Sequence, residues 1–344
     1  MTTSDETVGT EPQDHETPKV SDGLTGHWTA GHLAARYGIV GALVVLVIVA
    51  TILYHGFLDP GNITDILSQN SAVGIIAVGM TFVIISGGFD LSVGATYALG
   101  GTLFAGLTLQ TGSVAVAAVG ALAAGAAVGI VNGLLIARLG INPFVATLGT
   151  SSMISGLAYV YSNSAPFIIN NKPSLVPGFQ TLALSKFIGL LVPIWILLVV
   201  FIVGGFVLAK TAYGRSIYSV GGNYRAAWLS GLRVKGLHSS VYLLTGVLAT
   251  LAGMMDSSRL AVGQADVGAS MALSAIAIVV VGGTSLLGGE GAIWRSAVGL
   301  LILATLTNVF YSLNVSQNWQ LIAQGAIVVA AVGVDAVVRV RKQG

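Results

Sequence analysis

Asp90 is the one ionisable side chain in residues 79–94, GMTFVIISGGFDLSVG, where an apolar run stops at Gly87-Gly88 and a second begins. A lone carboxylate at the centre of a membrane helix costs roughly 2.5–3.5 kcal/mol on insertion scales. The double glycine therefore predicts a tight connection, with Asp90 at a membrane surface or facing a polar cavity. The remaining chemistry is neutral hydrogen bonding: Gln69, Asn70, Thr81, Ser86, Asn132, Asn142, Thr147, Thr150, Ser151, Ser152, Ser155, Thr245, Thr284, Ser285 and Asn308 lie in or at the ends of apolar runs. Singly, each reads as a helix–helix contact. Together they suit the passage of a neutral polyol, which needs many weak donors and acceptors and no fixed charge.

Catalytic and driving chemistry is sparse. No GxxxxGK[ST] occurs, so the chain is not expected to bind or hydrolyse ATP by itself. With no cysteine there is no thiolate nucleophile or thiolate metal site. The five histidines (His15, His27, His32, His55, His238) read as tail or connecting residues without an i, i+4 pair, so neither a metal site nor Ser-His-Asp chemistry is expected. Asp256 has Arg259 at i+3 and Asp335 has Arg339 at i+4, which predicts local ion pairs. A proton-driven carrier normally needs more buried charge than this.

The elements that carry these groups follow from composition. The chain is 54% hydrophobic and 8% charged, with a mean hydropathy of +0.87, whereas a soluble domain is about 25% charged. A polytopic membrane protein is implied, and 46 glycines against 8 prolines fit closely packed helices. About 20 residues cross the hydrocarbon core, and the runs are continuous, without the alternation of a barrel strand. Ten helical segments are expected, near 37–54, 71–86, 93–110, 113–138, 143–161, 187–209, 239–260, 269–283, 296–312 and 318–338. Residues 1–36 hold six of the thirteen acidic residues and no apolar periodicity, so they read as a disordered cytoplasmic tail ahead of a transmembrane domain over 37–344. The first apolar run starts only after Arg36, which predicts a retained anchor and not a cleaved leader.

Ten spans place both termini on one side. With that side cytoplasmic, twelve basic residues face inward and only Lys172, Lys186 and Arg259 face outward, so both ends are expected in the cytoplasm of a cell-membrane protein. The longest inner connection, 210–238, holds five of those twelve basic residues, a break at Gly221-Gly222 and a short helix-forming stretch before Gly231. One reading is a basic loop held at anionic lipid. Tyr213, Tyr218, Tyr224 and Trp228 favour a second reading, a docking element for a cytoplasmic partner.

Four ordered blocks carry a family resemblance. Residues 79–94 resemble GMTFVIISGGIDLSVG of the membrane permeases of ribose-type ABC sugar importers. Residues 132–149 (NGLLIARLGINPFVATLG), 214–231 (GRSIYSVGGNYRAAWLSG) and 281–291 (VGGTSLLGGEG) resemble further blocks of the same permeases in the same order. The resemblance implies an all-α permease that pairs with an identical or paralogous copy. It would receive solute from an extracytoplasmic sugar-binding protein and be driven by a separate cytoplasmic ATPase that binds the ATP and magnesium. It implies no nucleic-acid partner and no cofactor on this chain. By position, Gly214, Arg215, Gly221, Gly222, Asn223, Ala226, Ala227, Ser230 and Gly231 would form the ATPase-coupling loop. Gly87, Gly88, Asp90, Asn132, Asn142, Thr147, Gly282, Gly283, Thr284 and Ser285 are the candidates for the gate and path, the glycine pairs permitting close packing and bending at helix ends.

Three departures stand out. Tyr224 occupies the place of a usual glutamate, Ala272 and Ser274 replace two usual carboxylates, and Trp294 and Arg295 stand where small residues are usual. The expected function is import of a monosaccharide or related polyol. A nucleoside or branched-chain amino-acid permease is the first alternative, and a stand-alone carrier the second.

Overall fold

The structure, a computed structural model, describes residues 30–169, 178–316, 318–327, 329–330 and 333. Residues 1–29 of the expected tail, and the Asp335–Arg339 pair, lie outside the described residues. Two compact units divide the chain, Met1–Gly38 and Ile39–Gly344, and the helical bundle with its sites belongs to the second.

Helices occur at the first nine expected runs, and the tenth is described only over part of its length. In chain order they are α1 (Ala30–Leu53), the pair α2 (Pro60–Gln69) and α3 (Ser71–Ile85), α4 (Val93–Thr111), α5 (Val114–Ala137) and α6 (Pro143–Ser162). The four-residue α7 (Thr181–Leu184) precedes α8 (Val192–Lys210). Then come α9 (Ala212–Gly222), α10 (Tyr224–Leu229), α11 (Val234–Leu260), α12 (Ala269–Val281) and α13 (Ile293–Ser312), with residues 318–327 helical beyond. Two short antiparallel ribbons pair β1 (Phe167–Ile168) with β4 (Val262–Gly263) and β2 (Lys186–Phe187) with β3 (Leu190–Leu191). The second ribbon occupies the start of the expected sixth run, so α8 begins only at Val192.

Among the described residues, α5, α6, α8, α11 and α13 are long and apolar enough to cross a membrane, and α2–α3 makes a sixth span if its 50° bend is counted within one crossing. The bend sits at Asn70, whose side-chain amide donates to the Ile66 carbonyl (2.8 Å) and competes with continuation of the helix. At about 1.5 Å per residue, the 13 residues of α12 reach about 20 Å, short of the ~30 Å hydrocarbon core.

The core is built around α3, which is buried on every face except at Val73. A helix apolar all round has no solvent face to offer and belongs inside a bundle. Of its two buried polar side chains, Ser71 donates to the Ser68 carbonyl (2.7 Å) and Thr81 pairs with Ser296 of α13 (2.8 Å). Helix α11 packs across α3, α4 and α5. The contact with α5 is close because Gly125, Gly129 and Gly133, four residues apart, put no side chain in the way. A Cβ at Gly129 would stand 2.5 Å from the Tyr242 carbonyl oxygen, and one at Gly133 2.7 Å from Ser239 Cα. Close approach through small residues is what drives helices together in lipid. Gly129→Leu is therefore expected to lower unfolding stability by about 1–3 kcal/mol, read as a lower melting temperature in detergent. Gly156→Leu on α6, where a Cβ meets nothing within 4 Å, is expected to leave melting unchanged.

Candidate functional site

Both expected double glycines end helices, and by the same hydrogen-bonded device. At the end of α3, Gly87 N–H donates to Ile84 and Gly88 N–H to Val83. At the end of α12, Gly283 N–H donates to Val280 and Thr284 N–H to Val279. This paired closure needs a left-handed residue just past the helix, and Gly87 (φ +83°) and Gly283 (φ +79°) supply it. The sequence alone leaves open what these ends touch.

The last carbonyls of α3 are each taken by a different part of the chain. Gly289 N–H donates to Ile85 (2.8 Å), and His238 Nε2–H donates to Ser86 (2.8 Å). Tyr242 Oη–H donates to Phe89 just beyond (3.1 Å). His238 is thus a buried member of α11 and not a connecting residue as its sequence position suggested. Helix α11 starts at Val234, more than one turn before the expected boundary at 239, because polar residues there pair with neighbouring elements instead of facing lipid: His238 with Ser86, Ser239 with Gly133 and Ser240 with Tyr213.

Three double glycines interdigitate at this junction: Gly87-Gly88, Gly221-Gly222 at the end of α9, and Gly288-Gly289. A Cβ at Gly288 would stand 2.9 Å from Gly87 Cα, and one at Gly289 2.7 Å from Gly222 Cα. A Cβ at Gly221 would overlap the Ile85 carbonyl oxygen and stand 2.7 Å from Gly289 N. Gly282-Gly283 opens the turn that ends in Gly288-Gly289 but packs elsewhere, with a Gly282 Cβ position 2.7 Å from the Arg295 carbonyl oxygen. Within that turn Thr284 and Ser285 are buried. Ser285 Oγ accepts from Leu287 N–H (3.2 Å), and a Cβ at Gly291 would stand 2.8 Å from Thr284 Oγ1.

The connection 210–238 is folded, not a solvated loop. Thr211 caps α9 by accepting from Gly214 N–H (3.1 Å), and Asn223 caps α10 by accepting from Ala226 N–H (2.9 Å). Its aromatics divide into two groups. Tyr213 bonds Ser240 (2.7 Å) and Tyr218 donates to the Gly291 carbonyl (2.8 Å), tying α9 to α11 and to the 282–291 turn. Tyr224 and Trp228 are 47% and 62% exposed, next to exposed Arg225 and beside Arg233 and Lys235. Of the expected coupling residues, Gly214 and Ala227 are buried, the latter against Val220 and Val234. Gly221 is half-buried, and Arg215, Gly222, Asn223, Ala226, Ser230 and Gly231 are exposed.

A second cluster gathers Asp90, Asn132 and Thr147. Asp90 is only 2% exposed and lies in the connection between α3 and α4, neither at a surface nor on an open cavity. Its Oδ1 accepts from Ser92 N–H (2.9 Å) and Ser92 Oγ–H (2.6 Å). Asn132 of α5 donates to Ser92 Oγ (2.7 Å) and accepts from Thr150 Oγ1 of α6 (2.7 Å). Thr147 Oγ1 accepts from Leu91 N–H (3.1 Å). The buried carboxylate is held at the head of a hydrogen-bonded chain that joins α4, α5 and α6. Burial pushes its pKa up to about 6 against the opposing pull of the two Ser92 bonds. Asn142 stands apart from this chain and caps α6 by accepting from Phe144 N–H (2.9 Å).

The expected Asp256–Arg259 pair forms at 2.9 Å, and Tyr97 of α4 adds a bond to the Asp256 carboxylate (2.7 Å) that sequence spacing did not show. At the departures from the resemblance, Ala272 is buried in a groove with Gly94 and Ser155, Ser274 accepts from Gln324 (3.0 Å), and the Arg295 guanidinium lies 5.5 Å from the Trp294 ring centre.

Known proteins resemble the chain along most of its length. Residues 62–332 match the family described as branched-chain amino acid transport system / permease component. A ribose import permease of Bacillus subtilis is 41% identical over 293 residues, covering 85% of this chain and 90% of that protein. An L-arabinose ABC transporter permease of Azospirillum brasilense is 37% identical (88% of each chain). A D-allose transport system permease of Escherichia coli K12 is 35% identical (87% of this chain, 91% of that one). No solved structure matches. With the match running through all four motif blocks and nearly the whole helical bundle, the chain belongs to this family of ABC-importer permease components.

Proposed function

We propose that the chain forms the membrane path of an ABC importer for a monosaccharide or related polyol. The observation that carries the solute class is that relatives matched over at least 85% of this chain are named for ribose, L-arabinose and D-allose. The chain is a transport component of a multi-pass membrane protein and not an enzyme. In this reading ten helical segments make the crossings, the short α12 counted among them; residues 1–36, the last seven of which already belong to α1, form a cytoplasmic tail, and the C-terminus is cytoplasmic as well. A second copy or a paralogue completes the path. An extracytoplasmic binding protein delivers the solute, and a separate ATPase holds the ATP and magnesium.

The geometry supports a route for the power stroke. The ATPase docks on the exposed side of α9–α10, where Tyr224 and Trp228 lie among Arg225, Arg233 and Lys235. Its closure pushes α9. Because Gly221 sits without clearance on the end of α3 and on Gly289, that displacement passes to α3, at the centre of the bundle, and to the turn that follows α12. A packed junction of this kind moves as a rigid body between discrete states. Gly87, Gly88, Gly282 and Gly283, at the ends of α3 and α12, then act as the gate-side hinges.

Uptake of labelled ribose, arabinose, allose and leucine tests this, in cells lacking the chain with and without complementation. The expected result is restored uptake of at least one sugar that stops on ATP depletion at constant membrane potential. Restored leucine uptake alone would favour the amino-acid reading, which the family's description also names. Uptake that follows membrane potential and not ATP would favour a stand-alone carrier.

A further inference from the structure

At the α2–α3 bend a cavity of about 280 Å³ opens between that bend, α12, α13 and residues 320–324. It falls just below the ~300–1,000 Å³ range of drug-sized ligand pockets. Four separate elements supply polar groups, among them Gln69 and Asn70 at the bend, Ser270 and Ser274 on α12, Thr307 on α13, and Gln324 beyond it. All are neutral, and among the described residues no acidic or basic side chain lines the space. Gln324 reaches across to donate to Ser274 Oγ (3.0 Å), so one wall is already ordered.

We infer that this cavity is an internal solute site for a neutral polyhydroxylated molecule, with Ser274 and Gln324 as its specificity determinants; the assignment rests on the sugar-import reading. Amide and hydroxyl groups each offer a donor and an acceptor, as do the hydroxyls of a sugar. A solute carrying a carboxylate or an ammonium group would find no compensating charge in this lining. The bend in α2–α3 and the short α12 are what make room. A straight helix through Asn70 would carry its own side chains over the bend.

The bend also connects this site to the glycine junction. Asn70 stands at the N-terminal end of α3, and Gly221 and Gly289 grip its C-terminal end. Helix α12 likewise has Ser270 and Ser274 in the cavity wall and Gly283 just past its far end. The two helices that carry the power stroke in the proposed mechanism are therefore two of those that frame the cavity. Displacing them changes the solute's walls directly.

The test uses the assembled importer in cells and in membrane vesicles, with labelled D-ribose, L-arabinose and D-allose as probes. Gln324→Leu is expected to lower the maximal uptake rate at least tenfold while binding-protein-stimulated ATP hydrolysis stays within twofold. Ser274→Asp is expected to shift the relative uptake of the three sugars at least threefold. Ser274→Ala, which nearly keeps the volume, is expected to reduce uptake severalfold, and it decides the question if Gln324→Leu does not accumulate in the membrane. Wild-type uptake with unchanged rate and preference in Ser274→Ala and Ser274→Asp would overturn the cavity assignment alone. Failure of the unmodified chain to restore uptake of any of the three sugars would overturn the solute class, and this assignment with it.

Discussion

Sugar uptake is expected to fall to background in a Gly221→Ala chain and to be retained in Gly222→Ala. The two neighbours differ in nothing but their surroundings. The methyl group at Gly221 would overlap the Ile85 carbonyl oxygen and lie 2.7 Å from Gly289 N, both backbone atoms that cannot rotate away. At Gly222 a Cβ meets nothing within 4 Å. To admit the methyl group, α9 must back off α3, which strains the Gly289 N–H to Ile85 bond and the Tyr218 tether to Gly291. Overpacking of this kind costs about 1–3 kcal/mol, and a carbonyl left without a donor costs a similar ~1–3 kcal/mol. The larger effect is functional, because the rigid contact between the proposed docking element and α3 is lost. Uptake normalised to the amount of chain in the membrane checks this. Wild-type uptake in Gly221→Ala would show that α9 does not drive α3 through this contact.

The second large effect concerns Asp90 and pH. Its carboxyl is pushed from 3.8 to about 6 by burial, so the folded state holds the proton more tightly than the unfolded chain does. Stability is then highest below about pH 4, declines as the pH rises through about 6, and levels off above that. At ~1.4 kcal/mol per pKa unit the loss amounts to about 3 kcal/mol. Asp90→Asn keeps an oxygen for both Ser92 bonds and removes the ionisation. Its melting temperature in detergent should lose this dependence between about pH 4.5 and 7.5 and exceed wild type at the upper end. Asp90→Leu strands the Ser92 N–H and hydroxyl and should melt below wild type at both pH values, by an amount equivalent to about 1–3 kcal/mol per orphaned group. Identical pH slopes in wild type and Asp90→Asn would show that the carboxylate is not the titrating group.

Both effects depend on contacts between segments far apart in the chain, and that marks how much could be read in advance. Composition dictated the solvent and the helical class, since 54% hydrophobic residues with 8% charged, in continuous runs, leave helices to satisfy the backbone. Local chemistry dictated where helices stop. Gly87-Gly88 and Gly282-Gly283 read correctly as helix ends, as did the break at Gly221-Gly222, because capping is decided within a few residues. The Asp256–Arg259 pair was legible for the same reason, being one turn apart. The four motif blocks pointed to the permease family, to which the comparisons assign the chain.

What touches what was settled only in three dimensions. In a soluble helix the apolar stripe shows which face is buried. In a chain this apolar every face looks alike, since lipid and protein interior are nearly the same solvent. Nothing in the sequence of α3 tells that Gly289 and His238 complete its last turn, that Gly221 rests on Ile85, or that Asn132 and Thr150 carry the hydrogen bonds of Asp90 and Ser92 onward. The 50° bend at Asn70 was hidden for a related reason: the polar residues of 60–70 read as a connection, yet they form α2 and open the cavity that Ser274 and Gln324 line. Helices, their ends and the family are therefore written along the chain, in composition, capping residues and motif blocks. Which neutral groups and which glycines meet is written only in the folded bundle, because in a uniformly apolar chain close approach and hydrogen-bond satisfaction select the partners, and neither leaves a periodic trace.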